Sequence, residues 1–120
     1  MKDNDSAFWQ ALDTLVAQSR LVMDRPRGSH HPRFPEIVYP VDYGYLENTA
    51  SMDGQGIDVW RGTDPALHID AVICAVDLLK KDSEIKLLIG CTPEETRLVM
   101  DFHTRGEHMK GLLVRRQARA

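Results

Sequence analysis

The sequence predicts a mainly β, α+β fold in which a small, closed or nearly closed β-barrel lies between an N-terminal and a C-terminal helix. Two observations carry this prediction: short strand-like segments separated by turn residues fill the middle of the chain, and one helical pattern stands on either side of them. With 120 residues and 42% apolar side chains, the chain can form one core. We expect one domain over 1–120, divided into a helix at 1–20, a barrel at 21–91, and a helix, last strand and tail at 92–120.

The first element is an amphipathic helix over residues 5–20. Apolar side chains recur there at helical spacing and form one face, comprising Phe8, Leu12, Leu15 and Val16. After a short apolar stretch, residues 24–35 contain three prolines and a glycine, which exclude regular helix and central strand. This segment is therefore predicted to be a loop, and its arginines can present positive charge to an anion.

The central elements are strands. The patterns predict strands at 36–39, 57–60, 68–76 and 84–89, with a turn at 62–65 and a polar connection at 77–83. A last strand is expected at 112–114. A second helix begins after Thr92, because Pro93 suits the first helical position and Glu95 completes a capping box; Gly106 is expected to end it.

Composition excludes several classes of protein. The formal net charge is -3 with both signs interspersed, which argues against nucleic acid as a main partner. No apolar run is long enough to cross a membrane, and the polar start of the chain is unlike a signal peptide, so we expect a cytoplasmic protein. Cys74 and Cys91 are interpreted as buried thiols, and the adjacent His30 and His31 as a surface pair.

Two pairs of aspartates are candidate metal ligands. Asp53 and Asp58 lie where a glycine-containing turn enters a strand, and Asp77 and Asp82 bracket the end of one strand and the start of the next. If the two loops meet at one barrel mouth, their carboxylates suit a hard cation such as Mg²⁺ or Mn²⁺. An EF-hand is excluded, since Asp58 occupies the position that requires glycine.

Residues 39–49, Tyr-Pro-Val-Asp-Tyr-Gly-Tyr-Leu-Glu-Asn-Thr, and residues 53–58, Asp-Gly-Gln-Gly-Ile-Asp, resemble the central stretch of the soluble, magnesium-dependent inorganic pyrophosphatases. In that family a Tyr-Pro-x-x-Tyr-Gly segment leads to Asp-Gly-Asp-Pro-x-Asp at the same separation. Two further aspartates five residues apart follow in the family, as Asp77 and Asp82 do here. Residues 24–29 are similar to the family's Glu-Ile-Pro-Lys-Gly-Ser segment. The resemblance covers roughly residues 21–90.

The resemblance implies a five-stranded barrel of OB type that hydrolyses pyrophosphate with Mg²⁺ or Mn²⁺, and a homo-oligomer. It assigns Asp58 and Tyr43 to catalysis. The metal ligands that it implies are Asp53, Asp58, Asp77 and Asp82, and the substrate-binding residues are Arg27, Arg33, Tyr43 and Lys86. Metal ions would polarise water and neutralise phosphate oxygens, while the cationic side chains would hold the leaving group.

The chain departs from the family pattern at several positions. Gln55 stands where the family has the aspartate that serves as base, and an amide cannot accept that proton usefully. Gly56 replaces a proline and Glu84 a lysine. A hairpin that carries another arginine is missing between Arg33 and Tyr39, as is a late Tyr-Lys pair. Asp42 or Glu47 are candidate replacement bases.

Three functions are consistent with this pattern. The first is metal-dependent hydrolysis of pyrophosphate. The second is a catalytically impaired relative that binds metal and a small phosphorylated polyanion, which the Gln55 substitution favours. The third is an OB-type interaction module whose barrel surface binds protein or oligonucleotide.

Overall fold

The computed structural model describes residues 2–51 and 54–117, with side chains described from residue 5 onward. The elements are α1 (Lys2–Ala17), β1 (Leu21–Arg25), β2 (Asp42–Leu46), β3 (Ile57–Arg61), β4 (Ile69–Asp77), β5 (Asp82–Ile89), α2 (Pro93–Thr104) and β6 (Met109–Arg115). The predicted α+β class and the two flanking helices are therefore confirmed. No helix in the described part of the chain is long and apolar enough to cross a membrane.

The strands form one sheet of six, in the order β1-β2-β3-β5-β4-β6. β3 and β5 are parallel, whereas the other neighbouring pairs are antiparallel. Within the described residues β1 and β6 lie at opposite edges and do not pair with each other. The sheet thus has six strands rather than the expected five, and its closure into a barrel is not confirmed.

Both faces of the sheet carry a hydrophobic core cluster. Side chains alternate between the two faces along the central strands. Trp60 and Leu88 belong to one core cluster with Val99 of α2, whereas their chain neighbours Val59 and Leu87 belong to a second cluster. Trp9 of α1 lies in this second cluster, with partly buried Leu12, Leu15 and Val16 packed against it. The predicted apolar face of the first helix is confirmed for Leu12, Leu15 and Val16, whereas Phe8 is 43% exposed and its neighbour Trp9 is buried instead. The buried side chains in the described part of the chain form two core clusters rather than a single barrel interior.

The start of α2 agrees with the sequence prediction. The Thr92 side chain accepts a hydrogen bond from the Glu95 backbone N–H at 3.2 Å, and the Glu95 carboxylate accepts from the Thr92 N–H at 2.9 Å. This reciprocal capping box, with Pro93 in the first turn, satisfies backbone donors that a helix start would otherwise leave unpaired. The helix is capped at its other end by Arg105, one residue before Gly106.

The predicted strand at 36–39 is wrong. The segment contributes only an isolated bridge between His30 and Val38, since prolines at positions 32, 35 and 40 interrupt the backbone donors that a ladder needs. Sequence patterning also missed β1 and β2 as strands. The aromatic and turn residues of 40–48 obscured the alternation of β2, and β1 is evident in the sequence only as a short apolar stretch.

Gly44 allows β1 and β2 to approach closely. A Cβ at this position would lie 1.9 Å from the backbone oxygen of Val22, so a larger residue would push the strands apart. The two cysteines, Cys74 and Cys91, are free and partly buried, which is less than the full burial expected for them.

Candidate active site

A cleft of about 800 Å³ opens on the face of the sheet that also carries Trp60 and α2. Its described lining comes from several segments that are distant in sequence: the end of β1, the 31–39 loop, β2, the turn before β3, β3 itself, the β4–β5 connection, β5, α2 and the start of β6. The cleft gathers many of the candidate residues: Tyr43, Gln55, Asp58, Asp77, Glu84 and Lys86. An adjoining small cavity of about 30 Å³ is lined by Asp77, Lys80, Asp82, Glu84 and Lys86, among others.

The base of the cleft is a hydrogen-bonded cluster around the Lys86 ammonium. Its Nζ donates to Asp58 Oδ2 at 2.7 Å, to the Tyr43 hydroxyl at 3.0 Å and to Glu84 Oε1 at 3.3 Å. The Lys86 and Glu84 side chains are only 9% and 8% exposed, and that of Asp58 is 23% exposed. Neighbouring strands β2, β3 and β5 bring these groups together, since Tyr45 pairs with Asp58 and Val59 with Leu87.

The protonation states in this cluster follow from burial and charge. Burial raises the pKa of Tyr43, so its hydroxyl remains a neutral phenol. Burial alone would lower the pKa of Lys86, but Tyr43 and the Asp58 carboxylate outweigh it and the net shift is upward. Lys86 is therefore a permanent cation beside two carboxylates.

Tyr43 is fixed by aromatic contacts as well as by Lys86. Its ring centroid lies 4.5 Å from that of Trp60 and 5.3 Å from that of Tyr39, and Tyr39 is 4% exposed. His103 accepts a hydrogen bond from the Trp60 indole at 3.0 Å and is 1% exposed. Burial, and then the charge of Lys86, lower the pKa of His103 to about 3. The wall behind Tyr43 is thus rigid and uncharged near neutral pH.

The predicted metal ligands are brought together only in part. Asp58 and Asp77 line the cleft, and Asp82 lies in the adjoining cavity. Asp77 Oδ1 accepts from the backbone N–H groups of Leu79 and Lys80 at 3.0 and 3.2 Å, and it thereby shapes the β4–β5 turn. Asp53 lies outside the described residues.

The types of side chain in the cleft suit a hard cation, but the described residues are not arranged as a metal site. Its described lining holds four carboxylates, on Asp24, Asp58, Asp77 and Glu84, against three cationic side chains, on Arg25, Lys80 and Lys86. Carboxylate oxygens are the ligands that Mg²⁺ and Mn²⁺ prefer. Within the part of the chain that the structure describes, however, no three such side chains are grouped closely enough to hold an ion.

The arginines predicted to bind substrate lie elsewhere. Arg27 and Arg33 are exposed and are not among the residues that line the cleft. Arg27 donates its backbone N–H to Asp42 Oδ1 at 2.8 Å, and Glu47 pairs with Arg20. Asp42 and Glu47, the candidate replacement bases, are likewise outside the cleft lining.

Sequence reasoning missed Arg25, His31 and Lys80 as cleft residues. Arg25 stands at an isoleucine position of the family pattern, His31 was interpreted as one of a surface pair, and Lys80 lies in a charged turn. The order of charged residues along the chain carries no signal for them. His31 reaches the cleft through the path of the 31–39 loop, Arg25 from the end of β1 and Lys80 from the β4–β5 turn.

Comparisons with known proteins agree on one class of enzyme. No protein-family model matches the chain. It is 32% identical over 89 residues to an inorganic pyrophosphatase of Halalkalibacterium halodurans, a match that covers 68% of this chain and 55% of that protein. It is 35% identical over 65 residues to an inorganic pyrophosphatase of Methanosarcina acetivorans, covering 51% and 39%. For the inorganic pyrophosphatase of Geobacillus stearothermophilus the identity is 30% over 89 residues, covering 68% and 54%.

These matches show a distant relationship to inorganic pyrophosphatases. The chain spans about half the length of the relatives that it matches over 89 residues, and less of the archaeal one.

Proposed function

We propose that this protein hydrolyses inorganic pyrophosphate to two phosphates in the cleft, with Mg²⁺ or Mn²⁺ as the metal. The observation that carries the proposal is the hydrogen-bonded cluster of Tyr43, Asp58 and Lys86 at the base of the cleft. The resemblance assigns these three residues to the site from separate segments, and the fold joins them. The relatives named inorganic pyrophosphatase support the same reaction.

The charge of the cleft supports a metal requirement. Its described lining is net acidic by one unit when His31 is neutral, and Lys86 is already offset by Asp58 and Glu84. A free polyphosphate anion would be repelled by these carboxylates, and a divalent cation would offset that repulsion. Asp58, Asp77 and Asp82, together with Asp53, are the residues that would hold it. Such a metal acidifies bound water and neutralises phosphate oxygens.

The chain's own residues supply the remaining functions. The Tyr43 phenol, held neutral by burial, is placed as a fixed hydrogen-bond partner at the base of the cleft. The aromatic wall of Tyr39, Trp60 and Phe102 excludes water from one side, which strengthens electrostatic interactions in the site. Gln55 lines the cleft as an amide, so it can donate or accept a hydrogen bond but does not act as a base.

A second candidate function is binding of a phosphorylated ligand without turnover. The specific observation that favours it is the ion pair between Lys86 and Asp58 at 2.7 Å, which engages a carboxylate that the hydrolase proposal needs for metal. With Gln55 at the base position, this arrangement suits a ligand-binding site that has lost its chemistry.

The test is phosphate release from pyrophosphate with Mg²⁺ and then Mn²⁺, in the parent protein, Asp58→Asn and Gln55→Asp. Asp101→Asn on the exposed side of α2 makes the same charge change away from the cleft and serves as control. Metal-dependent release that is lost in Asp58→Asn and kept in Asp101→Asn supports the hydrolase. An inert parent with activity restored in Gln55→Asp supports the second function. Inert variants that also bind no metal by calorimetry would exclude both and leave the interaction module.

The cytoplasmic location and the homo-oligomer stay predictions. For the latter, size-exclusion chromatography with light scattering is the direct measurement.

A further inference from the structure

The cationic side chains that the resemblance assigns to substrate binding cannot balance the charge of a phosphate ligand in the cleft. Arg27 and Arg33 are outside the cleft lining, and the Lys86 charge is offset by the carboxylates of Asp58 and Glu84. A phosphate group bound in the cleft therefore needs other donors. The described lining offers Arg25 at the end of β1, His31 in the loop that follows, and Lys80 in the β4–β5 turn.

Arg25 and His31 are organised by the same aromatic side chain. The Arg25 guanidinium carbon lies 5.4 Å from the centre of the Tyr39 ring, and its Nη1 donates to the Tyr39 hydroxyl. The His31 ring is stacked on Tyr39 with a centroid distance of 6.4 Å and an interplanar angle of 13°. Because Tyr39 is buried, its ring holds the Arg25 and His31 side chains in place. A guanidinium has five N–H donors, so one bond to Tyr39 leaves others for a ligand.

The hydrogen bonds of His31 define which ring nitrogen carries the proton. Its Nδ1 accepts from the backbone N–H groups of Arg33 and Phe34 at 3.0 and 3.3 Å. A neutral imidazole that accepts at Nδ1 is protonated at Nε2. Burial, and then the charges of Arg25 and Arg33, lower the pKa of His31 and keep the ring neutral. The neutral ring thus carries its N–H donor at Nε2.

We propose that Arg25 and the Nε2–H of His31 form the phosphate-binding wall of the cleft, with Lys80 of the exposed β4–β5 turn as a third cation. This inference rests on the proposed function, which identifies the ligand as pyrophosphate or a similar phosphoanhydride with at least two negative charges. Asp58 and Glu84 pair with Lys86, whereas Arg25 and His31 both contact Tyr39.

The test is calorimetric titration of the full chain with methylenediphosphonate, a pyrophosphate analogue that cannot be hydrolysed, at fixed Mg²⁺. Arg25→Gln is expected to bind about tenfold or more weakly, because a hydrogen bond to a charged group is lost. Arg97→Gln removes an arginine from the exposed Glu94–Arg97 pair on α2 and is expected to bind like the parent.

His31 allows a matched pair of variants. Asn places an acceptor near the position of Nδ1 and lacks the Nε2 donor, whereas Gln can place a donor near Nε2 and gives up the loop acceptor. The proposal requires His31→Asn to bind more weakly than His31→Gln, while thermal melting shows His31→Asn to be the more stable variant. A merely structural role for His31 reverses the order of affinities.

The outcomes separate this inference from the proposed function. Parent-like binding in Arg25→Gln, or equal binding by the two His31 variants, overturns the phosphate-binding wall even if the parent hydrolyses pyrophosphate. If Arg25→Gln does not fold, Lys80→Gln in the exposed turn and the His31 pair decide the matter. Weakened binding in these variants of a parent that releases no phosphate supports the wall and contradicts hydrolysis. A parent that does not bind methylenediphosphonate at all overturns the inference.

Discussion

Replacing Lys86 with methionine should destabilise the protein strongly. Methionine keeps most of the apolar stem but removes the ammonium that donates to Asp58, Tyr43 and Glu84. Glu84, with an 8% exposed side chain, is then a buried carboxylate without its cation. Removing one partner of a buried ion pair costs about 3–5 kcal/mol, and the partial exposure of Asp58 places the expected loss near about 3 kcal/mol.

The assay is chemical unfolding at pH 7 with a parallel thermal melt. For a domain of this size, a loss of about 3 kcal/mol lowers Tm by roughly 10 °C. Arg97→Gln, which breaks only an exposed pair, should cost less than about 0.5 kcal/mol. The triple variant that adds Asp58→Asn and Glu84→Gln to Lys86→Met should recover much of the loss, because it removes the unpaired charges.

A divalent cation provides a second measurement on the same variant. If Asp58 and Glu84 become available in Lys86→Met, Mn²⁺ should raise its Tm more than it raises that of the parent, since a ligand that binds the native state stabilises it. A Lys86→Met protein as stable as the parent, with no greater response to Mn²⁺, would refute the reasoning that Lys86 is the cation that balances this acidic cluster.

Three further predictions concern residues away from Lys86. Burial, and then the charge of Lys86, lower the pKa of His103 to about 3. Its contribution to the free energy of unfolding is therefore complete above the unfolded pKa of about 6.5 and is lost as pH falls toward 3, at up to about 1.4 kcal/mol per pH unit. Urea unfolding at pH 7 and pH 5 should show a smaller pH dependence of stability in His103→Gln than in the parent. Thr92→Ala should cost about 1 kcal/mol by the same assay through loss of the capping box, and parent-like stability would contradict the role of the cap. Burial, and then Glu95 and Asp70, raise the pKa of the Cys91 thiol to about 12, so at pH 8 Cys91 should react with a disulfide reagent far more slowly in the folded than in the unfolded protein, and Cys91→Ser should abolish the slow phase.

Local patterns predicted those elements whose signal lies within one segment. The face of α1 follows from the spacing of Leu12, Leu15 and Val16, and the start of α2 from Thr92 and Glu95. The sheet order could not be predicted in this way. The parallel pairing of β3 with β5 joins segments separated by β4, and the double coverage of the sheet depends on where both helices pack.

The site shows the same division between local and tertiary information. The resemblance named Tyr43, Asp58 and Lys86, and the fold brings them within hydrogen-bonding distance. It gave no indication that Lys86 Nζ would contact Asp58, since that contact requires β3 beside β5. It placed the anion-binding arginines at Arg27 and Arg33, whereas the path of the 31–39 loop brings His31 onto Tyr39 and leaves Arg33 exposed.

The substitutions relative to the family pattern are physically connected. Where the pattern has a lysine, Glu84 adds a carboxylate to the cleft, and Lys86 two residues further along the same strand face offsets it. Because the Asp58 and Glu84 carboxylates offset the Lys86 charge, the proposed phosphate binding requires a cation from elsewhere. Arg25 lines the cleft from a position where the pattern has isoleucine. We therefore expect the effects of substitutions at positions 84 and 25 to be coupled. The substitution Glu84→Lys should lessen the loss of methylenediphosphonate affinity that Arg25→Gln causes. Strictly additive effects of the two substitutions in a double-mutant cycle would contradict this expectation.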